Sequence, residues 1–353
     1  MRTWAGPSRT PIGLDIGSSQ VKAAQLHRRG NRWALSAAAC FPRLHPDRPA
    51  DADEVARIAA ILRRRGFRGN RVVPAVPDAH LLSAAMELPS VADRAALLPI
   101  ARSEFARVHK RDPSAFEMDF WPLPSSRSAR GASVLAVGCA HEDAEALLSL
   151  LDLAGLQTIA LDAGSLALAA ATAPLADTQG VTVVLDLGWS AARLLMIHDG
   201  IIAYERVLAD SGARRLADQL RQQLSLEQAA IDYLIRDVGL DFQKLSADTQ
   251  WDRSDDARRV LSGHLDALVH EFNASLAYFA HRYPDIQVRK VLLSGGGAAM
   301  PGLAEHLCGV LGLPTQAVAA TDVVDVPTNL AEHGSSSGLI RAIGLAQHRE
   351  DRS

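Results

Sequence analysis

Residues 11 to 26 read Pro-Ile-Gly-Leu-Asp-Ile-Gly-Ser-Ser-Gln-Val-Lys-Ala-Ala-Gln-Leu. A short apolar strand ends in Asp15, turns through Gly17, Ser18 and Ser19, and resumes with Lys22 on the returning strand. Such a hairpin can wrap a phosphate. Gly17 lets the backbone approach phosphate oxygens, and Ser18 and Ser19 supply hydroxyl and N–H donors. Lys22 brings a positive charge, and Asp15 can hold a hydrated magnesium ion. Taken alone, Asp-X-Gly-Ser is also an ordinary hairpin turn.

The chain repeats the pattern. Residues 181 to 200 run Val-Thr-Val-Val-Leu-Asp-Leu-Gly-Trp-Ser-Ala-Ala-Arg-Leu-Leu-Met-Ile-His-Asp-Gly, with Asp186, Gly188 and Ser190 at the turn. Two strand–Asp-X-Gly–strand hairpins predict two related halves facing each other. A third signal follows at Lys290 to Leu303, where an apolar strand runs into Ser294, Gly295, Gly296 and Gly297. A helix is expected from near Pro301. Backbone without side chains can lie flat against an adenosine there, beside a helix N-terminus. The alternative for this element is a loose strand-to-helix connector.

In that order the three elements resemble the two phosphate turns and the adenosine turn of the actin and sugar-kinase superfamily. Within it the chain is similar to the PilM family of type IV pilus assembly proteins, from Pro11 to about Arg349. Further stretches carry the likeness by their order and spacing. They are Val73 to His80, Met86 to Pro89, Arg102 to Phe105, Met118 to Phe120, Val134 to Val137, Ala154 to Leu156 and Ala342 to Ala346. The resemblance implies an α/β, actin-like (ribonuclease H-like) duplicated fold, two halves around a nucleotide cleft, with an FtsA/PilM-type inserted α/β subdomain. It implies a tail at 1–10 and a first large subdomain at 11–72 and 161–180, with the inserted subdomain at 73–160. A second large subdomain follows at 181–212 and 285–349, and a helical subdomain at 213–284.

It also implies ATP and Mg2+ as cofactors. The cofactor contacts fall on Asp15, Gly17, Ser18, Ser19, Lys22, Asp186, Gly188, Ser190, Gly295, Gly296 and Gly297. Asp15 and Asp186 would hold the metal through water, and Asp186 is the candidate catalytic residue. The implied partner is the N-terminal cytoplasmic peptide of an inner-membrane PilN-like protein. It would sit in a groove between the first large subdomain and the inserted module, drawn from residues around Val73 to His80 and the module's strands, within the pilus assembly platform. The protein would then be cytoplasmic and peripheral at the inner membrane through that partner, with homo-oligomerisation left open.

The chain departs from the family pattern in three ways. Trp189 stands where relatives carry a small residue, so its indole either narrows the phosphate pocket or points outwards. Ser211-Gly212 replaces a Gly-Gly pair, and Ala230 and Tyr233 replace a Glu and a Lys at the ribose. Each lost hydrogen bond to a charged group costs about 1.5–3 kcal/mol, roughly tenfold to a hundredfold in affinity. The expectation is ATP binding with weak or no hydrolysis. The alternatives are a nucleotide-free scaffold like the secretion protein GspL, and a phosphotransferase of the sugar-kinase superfamily. The second lacks a recognisable aspartate base in a sugar pocket. An FtsA-like membrane tether is disfavoured by the short charged end Gln347 to Ser353.

With 353 residues, 48% of them hydrophobic, the chain can bury a core of more than one domain. A net charge of −3 gives no electrostatic case for nucleic-acid binding. Arg63-Arg64-Arg65 reads as a solvated helix end complementing the dipole. No apolar stretch reaches the roughly 20 residues that span a bilayer, and the first residues lack a signal-peptide core. Cys40, Cys139 and Cys308 are too scattered for a metal or disulfide pattern and read as buried free thiols.

Periodicity predicts a strand at Arg32 to Ala38, a helix at Asp53 to Arg65 and a strand at Arg71 to Val76. The module continues with a helix at Ala92 to His109, strands at Ala115 to Leu123 and Ser133 to Cys139, and a helix at Glu142 to Ala154. A polar Ser/Arg turn at 125–130 separates its last two strands. Leu161 to Ala171 reads as a small-residue helix capped by Asp162 or Ser165. Helices are expected at Ala213 to Leu224, Ser262 to Tyr283, Gly302 to Gly312 and Gly338 to His348, with a polar surface segment at Asp241 to Asp256.

Overall fold

The computed structural model describes residues 9–89, 93–124, 132–241 and 254–348. Most of the expected tail, the Ser/Arg turn and most of the polar segment before Asp256 lie outside them. Where the tail meets the described residues it is already tied down. Thr10 N donates to Leu26 O at 2.9 Å, and Thr10 Oγ1 accepts from Leu26 N at 2.9 Å.

The chain opens with three antiparallel strands, β1 (Ile12–Ile16), β2 (Gln20–Arg29) and β3 (Arg32–Pro42). Helix α1 (Ala52–Arg64) leads to β4 (Arg71–Pro74), which returns parallel to β1. Asp51 caps α1 by accepting from Glu54 N at 2.9 Å, while Val55, Ile58 and Leu62 bury its apolar stripe. After an inserted stretch, β8 (Gln157–Thr158) completes a five-stranded sheet in the order β3-β2-β1-β4-β8.

The second half repeats this plan. Strands β9 (Val181–Leu187), β10 (Ala192–His198) and β11 (Ile201–Leu208) form an antiparallel meander. Strand β12 (Val288–Ser294) pairs parallel with β9, and β13 (Thr315–Ala317) pairs parallel with β12. The order β11-β10-β9-β12-β13 matches the first sheet strand for strand. Every residue of β9 is buried, which explains its predominantly apolar sequence: the central strand, antiparallel to β10 and parallel to β12, packs into a core cluster on each face.

The inserted stretch makes a third sheet, from β5 (Leu81–Leu88), β6 (Phe116–Pro122) and β7 (Ala132–Ala140), in the order β5-β7-β6. Helix α2 (Arg94–His109) packs Leu97, Ala101 and Phe105 on one face, and α3 (His141–Leu153) follows. The sheet also reaches the second half. Trp121 Nε1 donates to Ile202 O on β11 at 2.9 Å.

Helix α4 (Gly164–Thr172) joins the halves. Neither Asp162 nor Ser165 caps it: Ala163 holds the cap position without a side-chain bond, and Ser165 Oγ is buried without a partner. Helices α5 (Ala213–Leu224), α6 (Gln228–Tyr233), a π turn at Leu234–Val238 and α7 (Ser254–Arg282) form a helical layer. Helix α7 begins before the expected Ser262, in the stretch read as polar surface, because Ala257, Val260 and Leu261 bury into this layer. After β12, a 3-10 turn at Gly296–Ala299 delays α8 (Leu303–Leu311) past Pro301. A short α9 (Ala320–Val323) and then α10 (Ile340–Ala346) are the last α-helices among the described residues.

The largest core cluster belongs to both halves. Leu168 and Ala171 of α4 and Ile340 and Ile343 of α10 meet Leu26, Leu35, Val184 and Leu195 from the two sheets. The two helices cross at backbone contact, since a Cβ on Gly344 would lie 1.8 Å from Ala167 O. Cys40 and Cys139 are half-buried thiols, and Cys308 is exposed rather than buried.

Candidate functional site

Register sets a carboxylate opposite a cation twice. In the first hairpin Lys22 sits directly across from Asp15, and in the second Arg193 sits directly across from Asp186. Residues opposite each other on antiparallel strands share a face, so each turn presents one carboxylate and one cation together. Lys22 Nζ lies 3.5 Å from Asp15 Oδ2. Arg193 turns instead to Glu205 Oε1, and its Nη2 lies 3.0 Å from Asp78 Oδ1, in the segment that follows β4.

Arg341 on α10 closes the cluster. Its Nη2 lies 2.6 Å from Asp186 Oδ2, and its Nη1 lies 3.6 Å from Asp15 Oδ1 and 3.5 Å from Asp78 Oδ2. The side chain is only 13% exposed. Burial alone would lower its pKa, but Asp15, Asp186 and Asp78 outweigh burial and raise it well above the ordinary value. For Asp78, burial pushes upwards while Arg341 and Arg193 hold the carboxyl below the usual carboxylate range. Asp15 and Asp186 are legible in the sequence as site residues. Asp78, Arg193 and Arg341 are not. Arg193 carries a signal nonetheless, because it follows Asp186 by seven residues, the offset of Lys22 from Asp15.

The two turns touch. Ser18 Oγ lies 3.3 Å from Ser190 Oγ, so nothing fits between these two hydroxyls. Gly17 and Gly188 keep their turns tight: a Cβ would lie 3.0 Å from Gln20 O and 2.7 Å from Ala191 O respectively. Ser19 O accepts from Arg43 N at 2.9 Å. The third turn folds onto the second. Gly295 has a φ of +84°, and a Cβ there would meet Leu187 O at 2.6 Å and Asp186 Oδ1 at 2.7 Å. A Cβ on Gly297 would meet Leu187 Cβ at 2.9 Å. Gly296 alone of the three faces open space.

Trp189 neither points to solvent nor stands free. Its half-buried ring packs on the helical layer, and its Nε1 donates to Asp47 Oδ2 at 3.4 Å across the two halves. Arg214 Nη1 lies 3.4 Å from Asp47 Oδ1, making the same connection. Trp189→Ala is therefore expected to cost about 1–2 kcal/mol, half the burial of a large side chain, and to lower the melting temperature by a few degrees. Differential scanning calorimetry checks this; a melt equal to wild type would show that the ring contributes no packing. Ser211 is buried, and Gly212 lets α5 start against the second turn, where a Cβ would lie 2.4 Å from Ser190 C. Ala230 is half-buried and Tyr233 exposed, both on α6.

The expected magnesium site does not fit these residues. The guanidinium of Arg341 lies between the carboxylates of Asp15, Asp78 and Asp186, where a hydrated ion would have to stand. Among the described residues no group of three or more His, Cys, Asp or Glu is arranged to hold a metal ion. Asp186, the candidate catalytic residue, is engaged as an ion-pair partner.

Comparison with known proteins agrees with the architecture. The chain is similar to a solved PilM–PilN type IV pilus biogenesis complex at 24% identity, covering 96% of this chain and 97% of that one, with a TM-score of 0.75. The ethanolamine utilization protein EutJ from Carboxydothermus hydrogenoformans matches at 15% identity, covering 97% and 90%, with a TM-score of 0.51. MreB 5 of Spiroplasma citri bound to AMPPNP matches at 12% identity, covering 95% of each chain, with a TM-score of 0.54. The fold is thus the duplicated actin-like one. The family described as type IV pilus assembly protein PilM matches residues 13–350, nearly the whole length, and the chain belongs to that family.

Proposed function

We propose that this protein is an actin-like scaffold of type IV pilus biogenesis that captures the N-terminal peptide of an inner-membrane PilN-like protein. The observation that carries this reading is the near full-length likeness to the solved PilM–PilN complex, together with the family match. The cleft supports a binding role over a catalytic one, because Asp15, Asp78 and Asp186 are already paired with the protein's own cations. Turnover of ATP would be weak at most.

In this reading the peptide's place is the inserted sheet. Val73, Ala75 and Val76 are buried and Asp78 belongs to the charge cluster, so the stretch expected to form the groove supplies a wall rather than pockets. Strand β5 is different: it is an edge strand that pairs only with β7 among the described residues. At its end Glu87, Leu88 and Pro89 face Pro99, Ile100, Ser103 and Glu104 of α2 across a cavity of about 510 Å³. An extended peptide can add its backbone to such an edge while alternate side chains fill the cavity. Among the described residues no helix is long and apolar enough to cross a membrane, so attachment to the inner membrane would come through this partner.

Nucleotide would serve as a structural ligand. ATP would lay its phosphates against Gly17 to Ser19 and Gly188 to Ser190 beside Lys22, with the adenosine over Gly296. That pose requires the Ser18–Ser190 contact to part. The same contact favours a second reading, a nucleotide-free scaffold like GspL. We divide the chain into large subdomains at 11–72 with 161–180 and 181–212 with 285–349, an insert at 73–160 and a helical layer at 213–284.

Calorimetry with a synthetic peptide covering the partner's cytoplasmic N-terminus tests the scaffold role. Wild type should bind it, and Ile100→Glu should weaken binding at least about tenfold, since it replaces apolar surface of the cavity with a third carboxylate beside Glu87 and Glu104. No binding to wild type would overturn the partner. Equal binding by the variant would move the peptide away from β5 and α2.

A further inference from the structure

We propose that Arg341 is a resident cation standing in the place of a divalent metal between Asp15, Asp78 and Asp186, so that the cleft neither holds nor needs Mg2+. The geometry behind this is threefold. The guanidinium contacts one carboxylate from each phosphate hairpin and one from the segment after β4, so it links the two halves by charge. The stem is wedged rather than swinging: a Cβ on Gly164 at the start of α4 would meet Arg341 Cδ, Nε and Cζ, each at 3.1 Å. And the side chain is nearly excluded from water, so leaving its place would strand Asp186 and leave Asp15 and Asp78 to Lys22 and Arg193 alone.

A magnesium ion cannot share this position. It demands near-octahedral oxygen ligands at about 2.1 Å and keeps several waters, a cluster larger than the guanidinium it would have to displace. Its two charges would also lie against a guanidinium that does not deprotonate in proteins. What Arg341 supplies is different in kind. It gives fixed planar N–H donors and a single charge, with no bound water to activate. A polyphosphate entering between the hairpins would meet Lys22 and Arg341 as permanent donors. That part rests on the nucleotide reading of the cleft; the absence of a metal site does not.

The experiment uses the full chain and Mn2+ as a paramagnetic probe for Mg2+. Electron paramagnetic resonance should show no Mn2+ retained by wild type, with or without nucleotide. Arg341→Ala, which removes the cation that Asp15, Asp78 and Asp186 share, should retain Mn2+ that wild type does not, and Arg341→Lys, which keeps a charge there, should retain none. In parallel, fluorescent ATP analogue binding by wild type should change by less than about twofold on adding EDTA. Stoichiometric Mn2+ on wild type, or a loss of analogue binding of about tenfold or more with EDTA, would overturn the proposal. If Arg341→Ala does not fold, the wild-type and Arg341→Lys titrations still decide it. If the analogue binds under neither condition, the nucleotide reading fails, while the Mn2+ titrations still decide the role of Arg341.

Discussion

Gly344→Ala is expected to abolish the cooperative melt of this protein. Alanine is the better helix former by about 1 kcal/mol, so propensity alone would favour the change in the middle of α10. The space forbids it. A Cβ at residue 344 would lie 1.8 Å from Ala167 O, 2.5 Å from Ala167 C and 2.9 Å from its Cα, all backbone atoms of α4. No side chain can swing aside, so the helices themselves must separate. That opens the core shared by Leu168, Ala171, Ile340 and Ile343, where both halves are joined. The cost is of the order of 5 kcal/mol or more, comparable with the net stability of a typical folded protein. Insoluble protein or a broad, low-temperature transition is the expected result, read by scanning calorimetry. Gly263→Ala in α7 is the control: nothing lies within 4 Å of its Cβ position, and that variant should melt at or slightly above wild type. A Gly344→Ala protein melting within a few degrees of wild type would refute the crossing geometry.

What the sequence reveals and what it hides follow from range. The two Asp-X-Gly hairpins and the triple-glycine turn are local objects, each written in adjacent residues, and the matching sheets follow from their repetition. The site's remaining members come from distant segments. Asp78 stands after β4 and looks like any polar loop residue, and Arg341 looks like a single charge on an otherwise apolar helix. Only the α4–α10 crossing, invisible to local pattern, brings Arg341 to Asp186. Gly295 misleads for the opposite reason: its missing side chain, which reads as room for a ligand, is required by packing against Asp186 and Leu187. Trp189 can be read either way because its partners, Asp47 and the helical layer, lie far along the chain.

Glu54→Gln is expected to be the most damaging change of a single atom type near the first Asp-X-Gly turn. The carboxylate is fully buried and accepts from Arg43 Nε at 3.1 Å on both oxygens and from Arg43 Nη2 at 2.5 Å. Leu44 N adds a fourth bond at 2.8 Å. Arg43 in turn donates from Nη1 to Gly17 O at 3.3 Å and from its backbone to Ser19 O, so this pair carries the turn from behind. Glutamine keeps the shape but leaves Arg43 charged, buried and uncompensated, a loss of about 3–5 kcal/mol. The pH dependence separates charge from shape. Burial pushes the Glu54 carboxyl up, but the Arg43 bonds and the Leu44 N–H outweigh it and hold it below the ordinary 4.5. A depressed carboxylate contributes stability above its unfolded value and loses it as pH falls through the folded one. The gap in melting temperature between wild type and Glu54→Gln should therefore be full at neutral pH and narrow below about 4.5. An apolar double variant, Arg43→Met with Glu54→Leu, should recover part of the loss, because it removes both charges together. A gap that stays constant into acid would mean that glutamine disturbs packing alone, and that the Arg43–Glu54 charge does not hold the turn.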